Sequence, residues 1–147
     1  MSVFAANPAE TEIGNEPETA NIIQGRVLIV EDDLIISNIV KSVIQKAGYE
    51  AVVTGDGGEA LRILNKDANF TAGVFDIEVP KIKGTDLLRY MRTEKRLMRI
   101  PVMIMTADES VRVQLDTHEA GAAIFLPKPF ERATFEKMFS LLAGKNN

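Results

Sequence analysis

Four places in the chain set a polar group directly behind an apolar run. Glu31 and Asp32 follow Val27-Leu28-Ile29-Val30, Asp76 follows Val74-Phe75, Thr106 ends Val102-Met103-Ile104-Met105, and Lys128 comes just after Ile124-Phe125-Leu126. Short apolar runs bounded by turn residues read as buried strands. In an open α/β sheet, ligands bind outside the carboxyl ends of the strands. On its own segment Asp76 reads equally well as a cap for the turn that Pro80 and Gly84 impose; its companions make it a candidate for chemistry. Three carboxylates in one crevice repel, a pair at about 4 Å by roughly 4 kcal/mol at an effective dielectric near 20. A hard divalent cation relieves this, and oxygen ligands without His or Cys point to Mg²⁺. A lysine supplies a fixed positive charge for an incoming anion, and a threonine hydroxyl can hydrogen-bond it. Together these groups describe phosphoryl transfer onto oxygen, with an aspartate able to serve as the nucleophile.

The elements that must position these residues follow in order. Val27–Val30 is the first strand. Ile35, Ile36, Ile39, Val40, Val43, Ile44 and Ala47 then recur at helical spacing up to Gly48, with Asp33 as the helix cap. Tyr49–Thr54 is the second strand, and Asp56 with Glu59 resembles a capping box before the stripe Ala60, Leu61, Leu64. The strand carrying Asp76 is third, followed by a helix marked by Leu87, Leu88 and Met91. Val102–Thr106 is the fourth strand. The helix from about Glu109 to Ala120 is less regular: Val111, Leu115 and Ala120 fit one face and Val113 does not. Ala122–Leu126 is the fifth strand, and after Pro127-Lys128-Pro129 a last helix carries Phe135, Met138, Phe139, Leu141 and Leu142. Five β-α units with right-handed crossovers predict a doubly wound parallel sheet in the order 2-1-3-4-5, helices on both faces. The crevice then falls between strands one and three, where Glu31, Asp32 and Asp76 end.

Bulk properties narrow the function classes. A chain of 147 residues, 46% hydrophobic and 26% charged, suits one soluble globular domain. A net charge of −4 argues against a broad nucleic-acid surface. With no Cys and only His118, disulfides, thiolate metal sites and His-based triads are excluded or poorly supplied. No apolar run approaches a membrane span, and Met1–Ala6 lacks the features of a secretory signal, so a cytoplasmic location is the default. Residues 1–24, rich in Asn, Glu, Pro, Thr and Ala, read as a disordered lead, 25–143 as the folded domain and 144–147 as a tail. Arg89, Arg92, Lys95, Arg96 and Arg99 read as a solvated basic face, and His118 as a surface residue.

The motifs Val27-Leu28-Ile29-Val30-Glu31-Asp32-Asp33, Phe75-Asp76-Ile77-Glu78-Val79-Pro80, Met105-Thr106-Ala107 and Lys128-Pro129-Phe130 resemble, in order and spacing, the receiver domain of two-component response regulators, over about residues 25–143. The resemblance implies that Asp76 accepts a phosphoryl group from a histidine kinase or phosphotransfer protein. It implies that Asp32 binds Mg²⁺ directly, Glu31 through water, and Glu78 through its backbone carbonyl. Lys128, Thr106 and Ala107 would hold the phosphoryl group. Thr106 would swing toward it and Phe125 would turn inward, altering the face built by the fourth helix, fifth strand and fifth helix, where an unknown protein partner binds. The Lys128-Pro129 peptide is usually cis in such domains. Neither nucleic acid nor membrane is an expected direct partner, and a homodimer is compatible with such a domain. The chain departs from the pattern in having Glu31 as first acid, Phe125 in place of the frequent Tyr, and extra acids at Glu78 and Asp108, expected to alter the rate at which water removes the phosphoryl group. No enzyme activity beyond self-phosphorylation from phosphodonors and slow dephosphorylation is expected, and no output domain is read in the chain. Two other readings stand beside this one. A phosphatase of the haloacid-dehalogenase type would use Asp76 and Glu78 as paired acids, and a receiver-like interaction module would never see phosphate.

Overall fold

The computed structural model describes residues 22–144; the sequence assignments to residues 1–21 and 145–147 lie outside the described residues. Five strands, β1 (Arg26–Val30), β2 (Glu50–Thr54), β3 (Ala72–Asp76), β4 (Val102–Thr106) and β5 (Ile124–Pro127), alternate with five helices. These are α1 (Leu34–Lys46), α2 (Gly57–Lys66), α3 (Gly84–Thr93), α4 (Val111–Ala120) and α5 (Arg132–Gly144). The strands form one parallel sheet in the predicted order β2-β1-β3-β4-β5. Every residue of β3 and β4 is buried, as expected of central parallel strands covered on both faces. Successive side chains point to opposite faces, and they sort into two cores. Leu28, Val30, Phe75, Val102 and Ile104 pack with Leu64, Leu87, Leu88 and Met91 under α2 and α3. Val27, Ile29, Val74, Met103 and Met105 pack with Val40, Ile44, Phe135 and Phe139 under α1 and α5. No helix among the described residues is long and apolar enough to cross a membrane.

Local chemistry accounts for the element ends. Asp33 caps α1 by accepting from the N–H groups of Ile35 and Ile36 at 2.9 and 3.1 Å. Asp56 caps α2 by accepting from Glu59 N–H at 2.6 Å, but the return half of the box differs from expectation: the Glu59 carboxylate accepts from the Thr54 hydroxyl at 2.7 Å. Gly84 opens α3 where a Cβ would lie 2.3 Å from the carbonyl oxygen of Asp76, so the helix packs directly on the backbone of the acidic residue. The Lys128-Pro129 peptide is cis. Gln24, assigned to the lead, is tied to the domain through its backbone N–H, which donates to Gly48 O at 2.8 Å. Strand β5 begins two residues later than expected, at Ile124. Helix α4 begins at Val111 behind a Ser110 cap that accepts from Val113 N–H.

Two apolar assignments are corrected and a charged one is refined. Ile35 is exposed at the first turn of α1, beside exposed Leu34. On α4 the inward stripe is half-buried Val113 with buried Thr117 and Ala120, while Val111 and Leu115 are 72% and 58% exposed. Of the basic run, Lys95, Arg96 and Arg99 are exposed as read and Arg89 and Arg92 are half-buried, but its guanidinium groups also bond the fold. Arg89 bonds Asp86 and Asp116, Arg92 donates to the carbonyls of Gly121 and Met98, Arg96 to Leu64 O, and Arg99 to Ala68 O and Phe70 O. These guanidinium groups satisfy carbonyls at the end of α2, after α4 and in the α2–β3 loop, groups that helices leave without internal partners.

Candidate functional site

Register brings the acids together. Val30 pairs with Phe75 and Asp76 with Met105, so Glu31 and Asp76 leave neighbouring strands at the same level. The backbone ladder continues one step beyond the strands: Glu31 N–H donates to Thr54 O at 3.0 Å, Ile77 N–H to Met105 O at 3.2 Å and Lys128 N–H to Thr106 O at 2.8 Å. The chain is thus held where each polar side chain emerges. One carboxylate oxygen from each of Glu31, Asp32 and Asp76 lies within 4.8 Å of the other two. Glu31 and Asp76 are buried and Asp32 is exposed, so the cluster has a closed floor and an open mouth.

Lys128 reaches into this cluster. Its Nζ lies 2.8 Å from Glu31 Oε1 and 3.3 Å from Asp76 Oδ2. The second Glu31 oxygen accepts from Asp33 N–H at 3.0 Å, and Asp76 Oδ1 faces Glu78 N–H at 3.4 Å. Burial raises the pKa of Glu31, offset in part by the Lys128 hydrogen bond and raised further by the charge of Asp76. Burial likewise raises the pKa of Asp76, opposed by the charge and hydrogen bond of Lys128, with the Asp32 charge adding to the rise. Burial alone would lower the Lys128 pKa, but its bond to Glu31 and the charge of Asp76 outweigh that and raise it. One ammonium against three carboxylates leaves the site two negative charges in excess. A hard divalent cation with oxygen ligands matches this donor set and charge.

Thr106 is buried at the end of β4, its hydroxyl accepting from Asp108 N–H at 3.1 Å. Ala107 follows it at the exposed rim. Glu78 places its carboxylate outward, 3.9 Å from Lys83 and outside the acidic cluster. That position does not serve the paired-acid arrangement of a haloacid-dehalogenase phosphatase. Phe125 is half-exposed and lines a recess of about 230 Å³ with Thr117, His118 and Ile124, away from the acids. His118 is exposed on α4. The direct Glu31–Lys128 ion pair was not read from the sequence. Only the shared spatial level of strand ends one and five could have suggested it.

Residues 27–140 match the family model described as the response regulator receiver domain. The chain belongs to the response regulator receiver family. Among relatives of this receiver domain, the chemotaxis protein CheY of Pseudomonas aeruginosa is 28% identical over 81% of this chain and 99% of its own. The chemotaxis protein CheY1 of Helicobacter pylori is 25% identical over 83% of this chain and 99% of its own. In structure, the receiver domain of the Francisella response regulator 1452 superposes with a TM-score of 0.75 at 27% identity, covering 84% of this chain and all of that one. The receiver fold and the order of its strands are therefore shared with solved members of the family, and the acidic cluster described above lies at the end of the receiver sheet where β1 and β3 terminate.

Proposed function

We propose that this receiver domain is a phosphoacceptor switch in which Asp76 takes a phosphoryl group from a histidine kinase or phosphotransfer protein. The observation that carries this reading is the Lys128 ammonium set against Glu31 and Asp76 inside a cluster of three carboxylates. An Asp76 carboxylate oxygen attacks phosphorus, the bond to the donor breaks, and the donor group leaves with the electron pair. The product is an aspartyl phosphate. Burial strips water from the nucleophile, and the Glu78 N–H and Lys128 hold its carboxylate in place. Lys128, the Thr106 hydroxyl and the Ala107 N–H are the groups available to the phosphoryl oxygens. Asp32 and Asp76 would hold a Mg²⁺ ion directly, Glu31 through water and Glu78 through its backbone carbonyl. When bound, the ion neutralises charge developing on the transferring group.

Phosphorylation replaces the single negative charge of the Asp76 carboxylate with a group of about −1.5 to −2 charges and brings three acceptor oxygens. The Thr106 hydroxyl, which accepts from Asp108 N–H, then turns to donate to a phosphoryl oxygen, and Phe125, on the paired strand beside Ile104, moves inward from its recess. Moving a two-state balance from 1:99 to 99:1 takes about 5.5 kcal/mol, so several of these contacts must act jointly. Exposed Val111 and Leu115 on α4 give the α4-β5-α5 face apolar surface for a protein partner. The cytoplasm is the compartment this reading expects.

Mixing the protein with Mg²⁺ and acetyl phosphate and weighing it by mass spectrometry tests the reading. The mass of one phosphoryl group should appear on the wild type and be absent from Asp76→Asn. An unlabelled wild type would favour a phosphate-independent interaction module, and equal labelling of the variant would displace Asp76 from its role.

A further inference from the structure

The turn between β2 and α2 touches both sides of the acidic crevice. Thr54 pairs with Val30 in the parallel register, and its carbonyl accepts from Glu31 N–H at 3.0 Å. At Gly55 a Cβ would lie 3.8 Å from the Cα and 3.9 Å from the Cβ of Asp32, so the turn runs alongside the exposed acid of the cluster. On the opposite side Gly57 N–H donates to Pro80 O at 3.0 Å, and a Cβ at Gly57 would fall 2.0 Å from Ile82 O. Only a residue without a side chain admits so close an approach of two backbones. The first turn of α2 therefore rests on the loop that follows Glu78.

A hydrogen-bond relay ties this turn together. The buried Thr54 hydroxyl donates to the Glu59 carboxylate at 2.7 Å and accepts from Asp56 N–H at 3.3 Å. Asp56 in turn accepts from Glu59 N–H at 2.6 Å. The threonine is thus inserted into the capping box, where the cap residue's N–H would ordinarily bond the glutamate directly. The insertion couples the end of β2 to the start of α2, and a network with its members satisfied is rigid. Capping the helix alone does not require it, because Asp56 already serves the free N–H of Glu59.

Rigidity at this place bears on which ion the crevice takes. Mg²⁺ demands near-octahedral ligands at about 2.0–2.1 Å, whereas Ca²⁺ accepts flexible shells at about 2.3–2.6 Å. A frame of fixed width favours the smaller ion. We propose that Thr54 and Glu59 are positioning residues that fix Asp32 relative to the Glu78 loop and so make the site selective for Mg²⁺ over Ca²⁺. The inference rests on the cation site of the phosphoacceptor reading and names the residues that give it selectivity.

Calorimetric titration of Mg²⁺ and of Ca²⁺ into wild type and variants tests this, with urea unfolding of each protein alongside. Thr54→Val removes the hydroxyl and Glu59→Ala removes its acceptor. Each should weaken Mg²⁺ binding about tenfold and leave Ca²⁺ binding nearly unchanged. Thr54→Ser and Glu59→Gln, which keep a hydroxyl and an acceptor oxygen, should retain the wild-type ratio of affinities. Glu59 is exposed, so its variants decide the matter even where Thr54→Val fails to fold. A ratio unchanged in Glu59→Ala would overturn the proposal, as would a parallel loss of both affinities, the mark of a merely structural role. So would Glu59→Gln behaving like Glu59→Ala, which would assign the effect to charge, or a wild type that prefers Ca²⁺. A wild type that binds neither ion would remove the cation site itself.

Discussion

Glu31 and Lys128 form a 2.8 Å ion pair with the Glu31 side chain almost wholly buried, and the same ammonium stands 3.3 Å from Asp76. The lysine proposed to meet a phosphoryl group is thus already engaged by the acid that precedes the exposed Asp32. Charge balance at the site rests on Lys128 until a further positive charge arrives.

Lys128→Met should therefore destabilise the domain by about 3 kcal/mol, because removing one partner strands the other charges in a buried setting. Urea unfolding would measure it. The pH dependence has a definite sign. Glu31 and Asp76 have folded pKa values raised above 4.5 and 3.8. The stabilisation that comes with their protonation is complete below those unfolded values and is lost as pH rises through the folded ones. Lys128 lowers both, so its removal pushes them higher and the gap between variant and wild type should widen with rising pH. A gap that narrows toward neutral pH would contradict the assigned pairing.

Mg²⁺ binding should show the same titration. The cation needs ionised carboxylates, and burial holds Glu31 and Asp76 protonated to a higher pH than ordinary side chains. Calorimetric titration at a series of pH values should find affinity falling, on acidification, from above the ordinary carboxylate range. Affinity that stays flat down to that range would point to a site built without these two residues.

Thr117 carries a buried hydroxyl without a hydrogen-bond partner among the described residues. Thr117→Val keeps the shape and removes the unsatisfied group, and should stabilise the domain by about 1 kcal/mol. Thermal unfolding checks this; a loss of stability would mean that the hydroxyl bonds an ordered water.

Glu78→Asn should change the rate at which the aspartyl phosphate is hydrolysed, since Glu78 adds negative charge two residues after Asp76, where it now pairs loosely with Lys83 at 3.9 Å. Following loss of the phosphoryl mass with time gives the rate. Equal rates in variant and wild type would remove Glu78 from that role.

Gly121, at the end of α4, has φ of +102°, and a Cβ there would lie 2.8 Å from the Arg92 Nε that donates to the Gly121 carbonyl. Gly121→Ala should cost about 1–2 kcal/mol from backbone conformation alone. A variant as stable as wild type in urea would show that Arg92 moves aside freely.

The sequence by itself determined the alternation of elements, the strand order and the membership of the acidic cluster. Those rest on local signals: apolar runs of strand length, caps such as Asp33 and Asp56, and turn residues, joined by the fixed handedness of parallel crossovers. The tertiary structure decided what long or small side chains do. The arginines of α3 and the loop after it reach carbonyls some 30 residues away, which no local pattern encodes. On α4, Ala120 turns inward as read, but Val111 and Leu115 stay exposed while Val113 and Thr117 turn inward, because which side of the helix meets the sheet is set by the packing of the whole domain. The Glu31–Lys128 pair depends in the same way on two strand ends separated by most of the chain, and only the folded sheet sets their distance.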